Sequence, residues 1–244
     1  RPDPWEVPRP EEALTVRLNT KFELRNGQTH VIPGQPMDLF AVPYDRPVVG
    51  YKARTVNTLR LWTATTPGYF DFGEFSSGDF FAAVSDKVVA ETVTRVLYPD
   101  DSTTSGRSLR FIQEYFLVSC AIQDILRRFR KFNDDWSTLP DKVAIQLNDT
   151  HPAMAVSEVM IYLIDRIGLD WDKAWDITQR TLAYTNHTLL PEALEKWPVE
   201  MFASLIPRHL EVIYEINRRF LDEVKVRYPD EPERLARMSL IEEG

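Results

Sequence analysis

An α/β protein, with a parallel sheet flanked by helices and an antiparallel β region near its start, is the fold class that the sequence predicts. Three observations carry it. Residues 143–152 (Val-Ala-Ile-Gln-Leu-Asn-Asp-Thr-His-Pro) run apolar, turn polar within two residues and close on a proline that opens a helical pattern. Residues 182–191 (Leu-Ala-Tyr-Thr-Asn-His-Thr-Leu-Leu-Pro) do the same. Strands of a parallel sheet read this way because both faces are covered. Residues 14–24, by contrast, place Leu14, Val16, Leu18, Phe22 and Leu24 on one parity, as a half-buried antiparallel strand does.

Composition bounds the rest. With 43% hydrophobic and 27% charged residues in 244, the chain is an ordinary globular one with enough length for a sizeable core. A net charge of −8 argues against a nucleic-acid partner, which would need a basic surface. Cys120 is the single cysteine, so no internal disulfide can form and a reducing, cytoplasmic setting fits. The longest apolar run, 159–164, is far short of the ~20 residues that cross a bilayer, so no membrane partner is expected. Arg1 in place of methionine, and an end at Gly244, read as a segment cut from a longer polypeptide.

In order, residues 1–13 form a proline-rich irregular arm. After the first strand, Asn26-Gly27 supplies a tight hairpin and 29–32 returns. Pro33, Gly34 and Pro36 break that return, and 37–42 makes another short strand. Residues 42–47, with prolines flanking a polar pair, read as a stiff turn. Residues 57–64 are a further strand, with Leu59 and Leu61 facing one way and Arg60 and Trp62 the other; Arg60 reads as a solvated strand charge. Asp79 caps a helix reaching Tyr98, which Pro99 ends. Asp100 to Gly106 form a polar loop, and a long amphipathic helix covers 108–132. Beyond the strand at 143–147, helices are expected at 153–167 (closed by Gly168), 171–180 (capped by Asp170), from Pro191, and from Pro207 to about Tyr228.

In an open parallel sheet, ligands sit outside the carboxyl ends of the strands. Asn148, Asp149, Thr150 and His151 after one strand, and Asn186, His187 and Thr188 after the other, can therefore line one crevice. A neutral imidazole at position 187 can both donate and accept, which suits a hydroxyl group; the alternative is a satisfied core histidine. Asp149 and Asn148 can read hydroxyls too, but Asp149 and Thr150 can equally be local helix caps. His151, before Pro152, can simply brace its turn. There is no G-x-G-x-x-G, P-loop or G-x-S-x-G, and histidines 30, 151, 187 and 209 offer no metal-ligand spacing. Such a crevice fits a polyhydroxyl ligand such as a sugar.

At these residues the sequence resembles the glycogen and starch phosphorylase family. The resemblance runs end to end and rests on Val42-Pro43-Tyr44-Asp45, Asn57-Thr58-Leu59-Arg60-Leu61-Trp62, Arg95-Val96-Leu97-Tyr98-Pro99, the stretch from Asp141 to Pro152, Tyr184-Thr185-Asn186-His187-Thr188, Pro191-Glu192-Ala193-Leu194-Glu195, Pro207-Arg208-His209-Leu210 and Met238-Ser239-Leu240-Ile241-Glu242-Glu243-Gly244. It implies part of a GT-B enzyme, with two Rossmann-like domains facing across a cleft, and places this chain in the later part of the N-terminal one. Residues 1–77 would be its β-rich region, 78–98 a dimer-contact helix, 99–106 a gate loop and 107–244 its βα units.

The implied reaction is phosphorolysis of an α-1,4-glucan by inorganic phosphate to glucose 1-phosphate, with retention. Pyridoxal 5'-phosphate is the implied cofactor, its lysine lying in a C-terminal domain whose motifs do not occur here. The resemblance implies catalytic roles for His187, toward the 6-hydroxyl of the transferred glucose, and for Asp149. It implies substrate contacts at Asn148, Thr188 and His151, a gate carboxylate at Asp101, an effector-phosphate pair at Arg127 and Arg128, and a homodimer when complete. Cations at a helix C-terminus are the alternative for that pair. Two departures stand out. Asp100-Asp101-Ser102-Thr103 replaces the Asn-Asp-Asn-Phe of animal members, which removes the aromatic of a purine-stacking site. The loop after the basic pair is shorter. A segment with half a sugar site is expected to be inactive by itself. Two other readings stay open: a different GT-B glycosyltransferase using a nucleotide sugar, and a non-catalytic glucan-binding or assembly module.

Overall fold

The parity of Val16, Leu18 and Thr20, all almost fully buried, sets the first sheet. The computed structural model describes residues 4–25, 28–66, 82–190 and 194–242, and the chain divides into two compact units, Arg1–Asn133 and Asp134–Gly244. In the first unit, strand β2 (Leu14–Arg25) pairs antiparallel with β3 (Gln28–Val49), from Leu14↔Ala41 to Arg25↔Gln28. The Asn26-Gly27 turn itself lies outside the described residues. Short β1 (Val7–Pro8) and β4 (Val56–Thr65) also pair with β3, both antiparallel.

β3 corrects the sequence reading twice. The break expected at Pro33–Pro36 is only a shift of register, Leu18 pairing with Met37 and Thr20 with Pro33, with Gly34 at a φ of 75°. The stiff turn expected over 42–47 is strand, paired with β4 from Val42↔Thr63 to Pro47↔Thr58. Proline removes a donor from a ladder but keeps its acceptor; the Pro43 carbonyl accepts from the Arg9 N–H at 2.8 Å.

β4 alternates as expected, but its sides are exchanged. Arg60 is largely buried and Trp62 and Ala64 fully so, while Leu59 and Leu61 are 46% and 49% exposed. Arg60 is no solvated charge. Its guanidinium forks onto Asp45 at 2.7 and 2.9 Å and reaches Glu12 at 2.6 Å and Asp124 at 3.1 Å. Pairing, not exposure, lets a cation face inward here.

Helix α1 (Ala82–Arg95) packs Val89, Ala90 and Val93 inward, and its Thr94 hydroxyl accepts from the Ala64 N–H at 3.0 Å. The predicted cap at Asp79 lies outside the described residues. Helix α2 (Thr104–Arg130) buries Ile112, Phe116, Cys120, Ile122, Leu126 and Phe129, the apolar face of the amphipathic helix expected there. It starts four residues before the expected Ser108, because Thr103 caps it by accepting the Gly106 N–H at 3.1 Å. The expected 99–106 loop therefore ends at Thr103. A Cβ on Gly106 would stand 1.7 Å from the Asp100 carbonyl oxygen. Gly106→Ala is thus expected to destabilise by about 1–3 kcal/mol, seen as a lower urea midpoint.

The second unit holds α3 (Leu139–Lys142), β5 (Ile145–Asn148), α4 (Ala155–Ile161), α5 (Trp171–Thr181), β6 (Leu182–Thr185), α6 (Val199–Leu205), α7 (Pro207–Arg227) and α8 (Pro232–Met238). β5 and β6 pair in parallel, from Ile145↔Leu182 to Asn148↔Thr185, so the predicted parallel pairing is present. α4 runs into a π turn over Tyr162–Arg166 and stops at Gly168, at a φ of 81°. The Asp170 carboxylate caps α5, accepting from the Lys173 N–H at 3.0 Å. α7 is tied to α4 by His209 and Glu158, 2.5 Å apart.

Two expectations fail in this unit. Pro191 lies outside the described residues, and the described chain after it turns helical only at Val199, behind Pro198. The strands are also less covered than predicted: Leu147 alone of β5 and β6 is fully buried. Among the described residues this sheet has two strands, so each has one open edge, and coverage on both faces is not reached. Among the described residues, no helix is long and apolar enough to cross a membrane.

Candidate active site

β5 and β6 end level, and the backbone beyond them is held in an unusual shape. Asp149 has a φ of 59°, a left-handed conformation that costs a non-glycine residue roughly 1 kcal/mol or more. Two bonds to the neighbouring exit hold it there. Its N–H donates to the Thr185 carbonyl at 2.9 Å, and its Oδ1 accepts from the His187 N–H at 3.1 Å. The capping alternative for Asp149 therefore gives way: the carboxylate serves the other strand's exit, thirty-eight positions on. α4 begins at Met154 with no side-chain cap.

The His187 ring lies against Asn148, with Nε2 3.1 Å from Oδ1. An amide oxygen only accepts, so Nε2 is the donor and a neutral ring keeps Nδ1 as its acceptor. His187 and Asn148 are exposed and Asp149 half-buried, which sets aside the core-histidine alternative. An imidazole, a carboxylate and an amide thus share one rim of the sheet, with donors and acceptors for a hydroxylated ligand. Gln146 also reaches across, donating to the Thr185 hydroxyl at 2.7 Å.

The remaining predicted residues fall into place around this rim. The Asn186 side chain accepts from the Thr188 N–H at 3.1 Å, a local turn that orients the exit. Thr150 bonds Glu195: its hydroxyl lies 3.3 Å from Oε2 and 3.4 Å from the Glu195 nitrogen. His151 Nε2 stands 3.8 Å from Glu195 Oε1. No spacing signal marked Glu195 as the partner of this exit. Its acid side chain behind Pro191 was visible, but not its return to Thr150.

In the first unit, Asp101 accepts from Arg110 at 3.0 Å. Arg127 is committed to Asp124 at 2.6 Å and to Glu12 at 2.9 Å, and Arg128 stands 3.7 Å from Asp124. Arg127 thus belongs to the ion cluster around Arg60. Glu12 and Asp45 are held below the usual carboxylate range, chiefly by their hydrogen bonds to Arg60.

An imidazole, a carboxylate and an amide at the carboxyl ends of two parallel strands give this α/β unit a polar rim with both donors and acceptors. Comparison with known proteins takes this further: the chain belongs to the carbohydrate phosphorylase family, whose model matches residues 1–244, a family of GT-B fold. It is 52% identical to the brain form of glycogen phosphorylase from Rattus norvegicus, over 99% of this chain and 30% of that protein. The human brain form is 51% identical over 99% and 29%, and the rat muscle form 49% over 99% and 30%. The chain thus spans about 30% of the length of these relatives.

Proposed function

We propose that this chain is the sugar-facing part of an α-1,4-glucan phosphorylase, in the later part of its N-terminal domain. The whole protein would pass a terminal glucosyl unit from glycogen or a related glucan to inorganic phosphate. The glycosidic bond breaks, the C1–phosphate bond forms with retention, and the glucan leaves one unit shorter with a proton on its freed hydroxyl. The observation that carries this reading is the joint rim of His187, Asp149 and Asn148. There Nδ1 of a neutral His187 accepts from a sugar hydroxyl, while Asp149 holds the His187 backbone in place. As charge builds on the ring carbon of an oxocarbenium-like state, a fixed acceptor on a neighbouring hydroxyl stabilises it without reorganising.

Pyridoxal phosphate, which relatives of this kind use, supplies proton transfer through its own phosphate. The rim residues Asn148, Asp149, Thr150, His151, Asn186, His187 and Thr188 include no amine to bind its aldehyde. They suit a sugar rather than that group, and its lysine belongs outside this chain in our reading. Asp101 would be the gate carboxylate, helix α1 (Ala82–Arg95), the described helical part of the expected 78–98 stretch, a dimer contact, and the complete protein a cytoplasmic homodimer. The 244-residue chain alone is expected to release no glucose 1-phosphate from glycogen in the presence of phosphate and pyridoxal phosphate; clear turnover would overturn the division of labour proposed here.

A further inference from the structure

Glu195 has no part in the reading above, yet it ties the two strand exits together a second time. The first tie is Asp149 to the His187 N–H. The second joins Thr150, the next residue on the same exit, to Glu195, forty-five positions on. Thr150 thus carries a tie of its own beside the Asp149 carboxylate that holds the His187 N–H. The Glu195 side chain itself is only 9% exposed. A largely buried carboxylate needs partners, and those of Glu195 include the Thr150 hydroxyl and, at 3.8 Å, His151 Nε2. An exit held at two adjacent residues, Asp149 and Thr150, turns less freely than one held at a single point.

We propose that Glu195 is a positioning residue: by holding Thr150 it fixes the strand exit whose Asp149 holds the His187 N–H, so that the His187 ring meets the sugar hydroxyl in one orientation. This rests on the phosphorylase reading of the rim. It predicts a particular pattern, since a displacement of about 1 Å in a reacting group can cost on the order of 10²-fold.

The test uses the complete phosphorylase polypeptide. Glu195→Ala is expected to lower kcat by roughly 10–100-fold with little change in KM for the glucan, and to speed amide exchange at His187. Glu195→Gln keeps an acceptor for the Thr150 hydroxyl and should restore most of the rate. Thr150→Val removes the same bond from the other side and should reproduce the Ala phenotype, which keeps the test alive if Glu195→Ala fails to fold. In a His187→Ala background, Glu195→Ala should add little, because it acts through that ring. An equal loss in both backgrounds, or no rescue by Gln, overturns the positioning role while leaving the phosphorylase reading intact. Full activity of His187→Ala by itself overturns the reading of the rim, and the positioning role with it.

Discussion

His187→Ala in the complete polypeptide is expected to lower kcat for phosphorolysis by about 10²–10³-fold, the cost of removing one preorganised group that faces developing charge. Binding of glucan should persist, because the ring is one contact among many on a long polymer, so KM should move far less than kcat. The geometry gives the reason. Asn148 takes Nε2 at 3.1 Å and Asp149 takes the backbone N–H at 3.1 Å, so the ring reaches its orientation before substrate arrives. An interaction of that kind lowers the barrier rather than tightening the ground state. Steady-state kinetics with glycogen and phosphate decide it. An unchanged kcat would remove the imidazole from the chemistry, and a rise in KM at constant kcat would make it a simple binding group.

Asp149 shows how far the sequence could be read. Its strand, its exit and its proximity to His187 followed from an apolar run ending in polar residues, because that pattern reports a parallel strand whatever surrounds it. Its left-handed backbone did not follow. Asp is merely permitted there, and only the bonds to Thr185 and His187, which come from another strand, make the conformation affordable. The same limit hid Glu195, whose partner lies forty-five positions back. Local pattern carries which residues sit at an exit; it does not carry which distant side chain returns to brace them.

In the antiparallel region the misreadings share one cause. Residues 42–47 look like a turn because two prolines break local propensity, yet they are strand because β1 and β4 occupy the edges beside them. Leu59 and Leu61 look like a core face because they are apolar, yet Arg60 takes the inward side because three carboxylates await it. Glu12, Asp45 and Asp124 stand forty-eight, fifteen and sixty-four positions from Arg60, so no window of the sequence contains the cluster. Alternation identified the strand correctly. Choosing its buried side required partners that only the assembled sheet supplies.

That cluster carries the largest expected effect on stability. Arg60 is 15% exposed, Asp124 5% and Asp45 15%. Arg60→Met leaves Asp124 to Arg127 and Arg128, and Asp45 to Arg9 at 3.2 Å, so negative charge stays buried with its main partner gone. Removing one member of a buried ion pair typically costs about 3–5 kcal/mol, and urea denaturation at neutral pH should show a loss of that order. Arg60→Lys should fall between, since an ammonium cannot fork onto Asp45. Acid supplies an independent readout. Glu12 and Asp45 are lowered from 4.5 and 3.8 by Arg60, so their contribution is complete above those values and is lost as pH falls through the lower folded ones. Stability of the unsubstituted protein should therefore drop below about pH 4.5, and Arg60→Met should show a shallower drop because its carboxylates have lost the group that lowered them. A cost under about 1 kcal/mol, with an unchanged acid profile, would mean that these charges behave as an exposed surface pair and that β4 is held inward by Trp62 and Ala64 instead.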